Sequence, residues 1–327
     1  MKRHALTFVL LSATILAAGC KENFSPKTEF KDTPVLQCII PGVAGRPPMT
    51  EIALLTRTYN VDGFDPSVNS TDPSIAGASM SMVVNGTAYP MRDSLRFNRD
   101  SLRYGSRQLY YFGSMKAPAP RDPISISVRL PDGRVLSAQT VVPSGRQISS
   151  SINFPNGVTT RTTFLPGVKS WTISWESNEA AEPHLFFPSL AIWYSKAVKD
   201  YDSLATMPVP MRYVGSTPIY PSYTTATSCE FEFAALDSAM AMIAAGDPDK
   251  SKYGVHTAWF SLIEYDAPLS KYYASVNGSL DQFSIRTDQT VYSNIGGGIG
   301  IFGSYFTDTA QFDVDIRYVL IFGYRYR

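Results

Sequence analysis

The chain has 327 residues, 44% hydrophobic and 17% charged, with 29 Lys and Arg against 28 Asp and Glu. That balance describes a globular sequence and excludes a disordered one. Near-neutrality also removes the basic footprint that nucleic-acid binding requires.

The first segment reads MKRHALTFVLLSATILAAGC. Lys2 and Arg3 precede an apolar run from Ala5 to Leu16, and Ala17, Ala18 and Gly19 lead into Cys20. The run is too short to span a bilayer comfortably, and charge, apolar run and small residues come in the order of an export signal. A cysteine directly after the small residues makes the segment resemble a bacterial lipoprotein signal, although Ala17 stands where that family most often has Leu. The resemblance implies cleavage between Gly19 and Cys20, a diacylglycerol on the Cys20 thiol and acylation of the new amine. Ordinary cleavage leaving a free Cys20 is the alternative. Residues 1–19 are thus expected to be a signal peptide and 20–34, charged and Pro-bearing, a tether. No later run approaches 18 apolar residues, so lipid would be the only anchor, and two or three acyl chains suffice for stable attachment. By analogy with enteric bacteria, Lys21 fits outer-membrane sorting. Lys21-Glu22 does not decide which face is occupied.

From Val35 the pattern becomes β. VLQCII and EIALLTRTY are short apolar runs. ASMSMVV meets the turn Asn85-Gly86 and continues as TAYPM, a hairpin signal, and ISISVRL, Pro131-Asp132-Gly133 and RVLSAQTVV make a second. Six to eight short strands predict an immunoglobulin-like β-sandwich over 35–144, with Pro143-Ser144-Gly145 as its exit. Residues 145–327 are expected to form a second β-rich domain with one short helix. Trp171, Ile173 and Trp175 alternate with Thr172 and Ser174 and so share a core-facing side. Ala234–Ala245, stopped by Gly246 and Pro248, reads as the helix. SLAIWYSKAV, SCEFEF, VHTAWFSLIEY, VYSNIGGGIGIFGSYF and FDVDIRYVLIFGYRYR read as strands. A seven-residue tandem repeat, Asp93–Arg99 then Asp100–Ser106, predicts a basic exposed hairpin or loop.

Together, the lipoprotein cysteine, the tether, the sandwich ending near GRVLSAQTVVP and the late SNIGGGIGIFG resemble a family of Bacteroidota outer-membrane-type lipoproteins of unassigned function. Ser293–Gly303 is the most specific piece. The resemblance implies location and architecture but no catalytic residues. A looser resemblance to lipoproteins encoded beside TonB-dependent transporters implies a role in capture or uptake. Exported proteins of this group carry O-glycans at Asp-Ser/Thr followed by a small or aliphatic residue. That pattern falls at Ser94, Ser101, Ser203, Ser238 and Thr309; the alternative reading is turn and helix-start chemistry.

Catalytic signals are sparse. His184 and His256 are the only histidines after the signal, and neither has metal-ligand spacing. His256 reads as a strand histidine and His184 as a loop residue beside Glu182. No GxSxG elbow occurs. Gly298, Gly300 and Gly303 satisfy GxGxxG, but no helix follows and no βαβ unit surrounds them. With Gly296 and Gly297 they read as structural glycines that admit a close backbone approach. Tyr59–Asp72 holds oxygen ligands without EF-hand spacing and reads as a solvated loop. Cys38 and Cys229 read as two buried thiols, with a disulfide as the alternative. Trp171, Trp175, Trp193 and Trp259 offer flat surfaces, mostly for cores, though some of the aromatics are expected to line a site. No cofactor, metal or catalytic residue is assigned. The expected function is a lipid-anchored, ligand-binding or transporter-accessory envelope component with a small-molecule or glycan ligand. The alternatives are an envelope hydrolase using two carboxylates and an adhesin or structural module.

Overall fold

The computed structural model describes residues 32–59, 71–97, 107–153, 159–160, 168–176, 184–198, 201–277 and 292–327. The signal, Gly19, Cys20, most of the tether, Ser101 with the rest of 98–106 in the tandem repeat, and most of Tyr59–Asp72 lie outside them. Among the described residues no helix is long and apolar enough to cross a membrane.

The fold is mainly β. The first half contains β1 (Pro34–Gly42), β2 (Pro48–Arg57), β3 (Ser79–Val84), β4 (Thr87–Phe97), β5 (Arg107–Lys116), β6 (Pro123–Arg129) and β7 (Val135–Val141). They pair in the order β1-β2-β5-β4-β3-β6-β7. The alternation of β3 and β6 sends Met80, Met82, Ile124, Ile126 and Val128 into one core with Leu36, Cys38, Ile40 and Leu55, so the ribbon folds over into a sandwich. Both predicted hairpins form. The first turns through Asn85 and Gly86 at φ of 46° and 80°, the left-handed pair that a two-residue turn requires.

The second half contains β8 (Ile148–Asn153), β9 (Thr159–Thr160), β10 (Ser170–Trp175), β11 (Phe186–Val198), β12 (Tyr201–Pro208), β13 (Arg212–Val214), β14 (Thr217–Ile219) and β15 (Ser228–Glu232). They are followed by α1 (Phe233–Ile243), β16 (Tyr253–Tyr265), α2 (Ala267–Asn277), β17 (Ile299–Phe312), α3 (Ile316–Ile321) and β18 (Arg325–Tyr326). A sheet β15-β10-β8-β9 faces the group β12-β11-β16-β17. Trp171, Ile173 and Trp175 from the former meet Ile192, Phe260 and Leu262 from the latter, and α1 covers the core's end through Phe233, Leu236, Met240 and Ile243.

Among the described residues, three α-helices stand where a single helix was expected. Asp266 caps α2, its Oδ1 accepting from the Leu269 N–H at 2.9 Å. The expected terminal strand through IRYVLI is instead α3, capped by Asp315 accepting from the Arg317 N–H at 2.8 Å and ended by Gly323 at φ 77°. Burial of Tyr318 and Val319 within one turn overrides the β-favouring residues.

The two halves share a strand. β17 pairs antiparallel with β16 and parallel with β1, joining both into one 12-stranded sheet. Ile295, Phe302 and Phe306 lie in the first core although they follow residue 145, so the first sandwich is completed by the chain's C-terminal segment. Gly296 also bonds the edge of β7 through both backbone groups of Ser137.

Candidate functional site

The glycine-rich segment sits at this junction. A Cβ on Gly300, at φ 123°, would lie 2.0 Å from the Leu36 carbonyl oxygen; on Gly298, 2.6 Å from that of Pro34; on Gly297, 2.2 Å from that of Val135. Gly303 faces Leu269 of α2 at 2.5 Å, and Gly296 faces the Ser137 hydroxyl at 3.3 Å. These glycines face other backbone or core side chains.

Two buried polar clusters fix the junction. Arg146, on the connection after β7, donates from Nε to Glu264 Oε2 at 2.9 Å and from Nη2 to Oε1; both side chains are fully enclosed. His184 Nδ1 lies 2.6 Å from Glu264 Oε1 without the alignment of a hydrogen bond. The Arg146 N–H donates to Asp308 Oδ2 at 2.6 Å. Burial pushes the Asp308 carboxyl upward against that bond, and the Glu264 charge adds to the rise. Nearby, Asp266 accepts from Thr140 Oγ1 at 2.6 Å and from the Ser304 N–H at 2.6 Å, tying β7, β17 and α2 together, while burial raises its carboxyl. Their signal in the sequence was two acids, Glu264 and Asp266, ending an apolar strand.

The other residues singled out in the sequence are dispersed over the fold. His256 sits at the bulge where β16 slips against β11, with Nε2 buried and unbonded to any described residue. Cys38 and Cys229 are both free and belong to different cores. Burial raises both thiols, Cys229 to about 12, which keeps them unreactive. Ser94 and Ser203 are exposed on β4 and β12. Ser238 lies mid-helix, half-buried, its hydroxyl donating to the Ala234 carbonyl at 2.8 Å. No group of three or more His, Cys, Asp or Glu suited to a metal occurs among the described residues.

The four tryptophans divide. Trp171 and Trp175 are core. Trp193 and Trp259 instead stack on the outer side of β11 and β16, with ring centroids 4.9 Å apart and planes 14° apart. Trp193 is 37% exposed, and the half-buried Trp259 covers one face of its ring. Strand register orders the surface around them. Thr206, Trp193 and Thr257 form one row across the sheet, then Ala191, Trp259 and Gln311, then Ser189, Ser261 and Thr309, then Phe187, Ile263 and Thr307. Beyond the last row is a tyrosine cluster. Tyr223 lies 5.2 Å from Phe187 and stacks on Tyr273 of α2 at 5.4 Å, and Tyr265 and Tyr305 adjoin. Every outward residue of the four rows is uncharged, because Asp308 points inward to Arg146. The chain matches no protein-family model and no curated protein. The site therefore rests on its geometry alone.

A concavity of about 590 Å³ lies beside β10, β13, β14 and β15 and is lined by Lys169, Ser170, Met211, Arg212, Glu230 and Glu232. Glu230 and Glu232 share one side of β15, and both are exposed.

Proposed function

We propose that this protein is a lipid-anchored component of the bacterial outer membrane. It holds a ligand or transporter partner against the outer side of β11, β16 and β17. The observation that carries the binding role is the Trp193–Trp259 stack, a large apolar pair held rigid on a strand face where solvent-facing residues are ordinarily small and polar. Anchoring rests on the resemblance of residues 1–20 to a lipoprotein signal, with Cys20 as the acylated residue.

The hydrolase alternative has one observation in its favour, the Glu230/Glu232 pair in a cleft. A glycosidic general acid works as a desolvated carboxyl, whereas both of these are exposed and share their cleft with Lys169 and Arg212. Binding is therefore the better-supported reading.

The test is to isolate the lipidated protein from membranes in mild detergent, alongside the Trp193→Ala/Trp259→Ala variant. A bound component present with the wild type and lost from the variant is the expected outcome. Identical composition of the two preparations contradicts the binding role. For the anchor, Cys20→Ser is expected to abolish fatty-acid labelling and release the protein from the membrane fraction; equal labelling contradicts it.

A further inference from the structure

The chemistry of the outer face narrows its ligand. This inference rests on the binding role above and goes beyond it: we propose that the face is a binding site for an uncharged polysaccharide, lying along the strands between the tryptophan stack and the tyrosine cluster.

Three observations converge. The Trp193–Trp259 stack ends the strip on one side, and Tyr223 and Tyr273 wall it on the other. Trp259 and Ile263 are four residues apart on β16, so the gap between those ends is about 13 Å, the length of a short oligosaccharide. The row between them carries the hydroxyls of Ser189, Ser261 and Thr309, and Gln311 adds an amide opposite Trp259. Thr309 and Gln311 are exposed, and their side chains are committed to no other described residue.

Each class of ligand asks for different partners. A phosphate, a uronate or a nucleic acid needs cations, and the strip has none. A lipid or an amphipathic helix needs continuous apolar surface, which the hydroxyl row interrupts. A neutral sugar chain offers apolar C–H faces that cover an indole, and hydroxyls that both donate to and accept from Ser, Thr and Gln. Only that class uses both parts of the strip. Without charge on either partner, the binding is insensitive to salt.

The experiment uses the full mature chain in detergent, run by affinity electrophoresis through gels containing galactomannan, xyloglucan, β-1,3-glucan or yeast mannan, with alginate and polygalacturonate as acidic counterparts. Retardation by at least one neutral polymer is expected, unchanged between 50 and 500 mM salt. Trp193→Ala is expected to weaken it about tenfold or more, and Ser261→Asp, which adds a charge to the middle row, to weaken it too. Circular dichroism and melting of each variant guard against misfolding. Retardation only by the acidic polymers, or by neutral ones equally in both variants, overturns the proposal. So does no retardation by any polymer. If none retards the chain while native preparations still carry a Trp193-dependent component, the ligand class is wrong and the binding role stands.

Discussion

Glu51 provides a quantitative test of how the first core is built. It lies on β2, is 7% exposed, and faces inward beside Cys38, its Oε1 accepting from the Ile52 N–H at 3.0 Å. Burial raises its carboxyl from an ordinary 4.5 to about 7, with the Ile52 bond opposing the rise. The folded protein therefore holds a proton that the unfolded chain gives up between those two values. Stability tied to this group is full below about pH 4.5, falls as pH rises towards 7, and is level above it. At about 1.4 kcal/mol per pH unit the loss approaches ~3 kcal/mol. Glu51→Gln keeps the size and the acceptor but has no charge to bury. The variant is expected to match the wild type at pH 4.5 and to exceed it by about 2–3 kcal/mol at pH 8. Urea unfolding followed by circular dichroism at pH 4.5, 6 and 8 measures the difference. An offset that does not change with pH, or a variant less stable at pH 8, refutes the assignment of a neutral buried carboxyl.

Gly300→Val is expected to abolish soluble native protein, since its Cβ would meet the Leu36 backbone at 2.0 Å. Gly133→Ala, also at positive φ but with open space around it, is expected to cost only about 1–2 kcal/mol by chemical denaturation. Arg146→Met leaves Glu264 buried without its main partner and is expected to cost about 3–5 kcal/mol; adding Glu264→Gln should recover part of that, and a single-variant cost near zero contradicts the junction's account. Intact mass of protein from its native envelope, compared with a cytoplasmic form lacking residues 1–19, is expected to show glycan beyond the lipid, placed by peptide mapping on Ser94, Ser101 or Ser203. No excess mass would leave the Asp-Ser/Thr triplets as turn and helix chemistry.

The parts of the fold legible in the sequence were those set by neighbours along the chain. Asn85-Gly86 and Pro131-Asp132-Gly133 define their hairpins because turn geometry needs those residues, and Trp171/Trp175 face the core because strand alternation leaves no other choice. What escaped depends on distant partners. Nothing local to SNIGGGIGIFG says that it pairs in parallel with Val35–Gly42, far upstream, and completes the first core. The helix at Ile316–Ile321 is made of strand-favouring residues and is decided by the Asp315 cap and the burial of Tyr318. The start of α2 was signalled only by Asp266 ahead of Ala267-Pro268. Trp193 and Trp259 read individually as core residues, and their stacking follows from the register of β11 on β16, which composition does not reveal.

The central claim is that the outer face carrying Trp193 is occupied in the envelope. Hydroxyl-radical footprinting of living cells, compared with purified ligand-free protein, measures this directly, with buried Trp175 as the internal reference. Oxidation of Trp193 is expected to fall several-fold in cells while Trp175 stays unreactive in both. Equal oxidation of Trp193 in cells and in the purified protein would contradict the account.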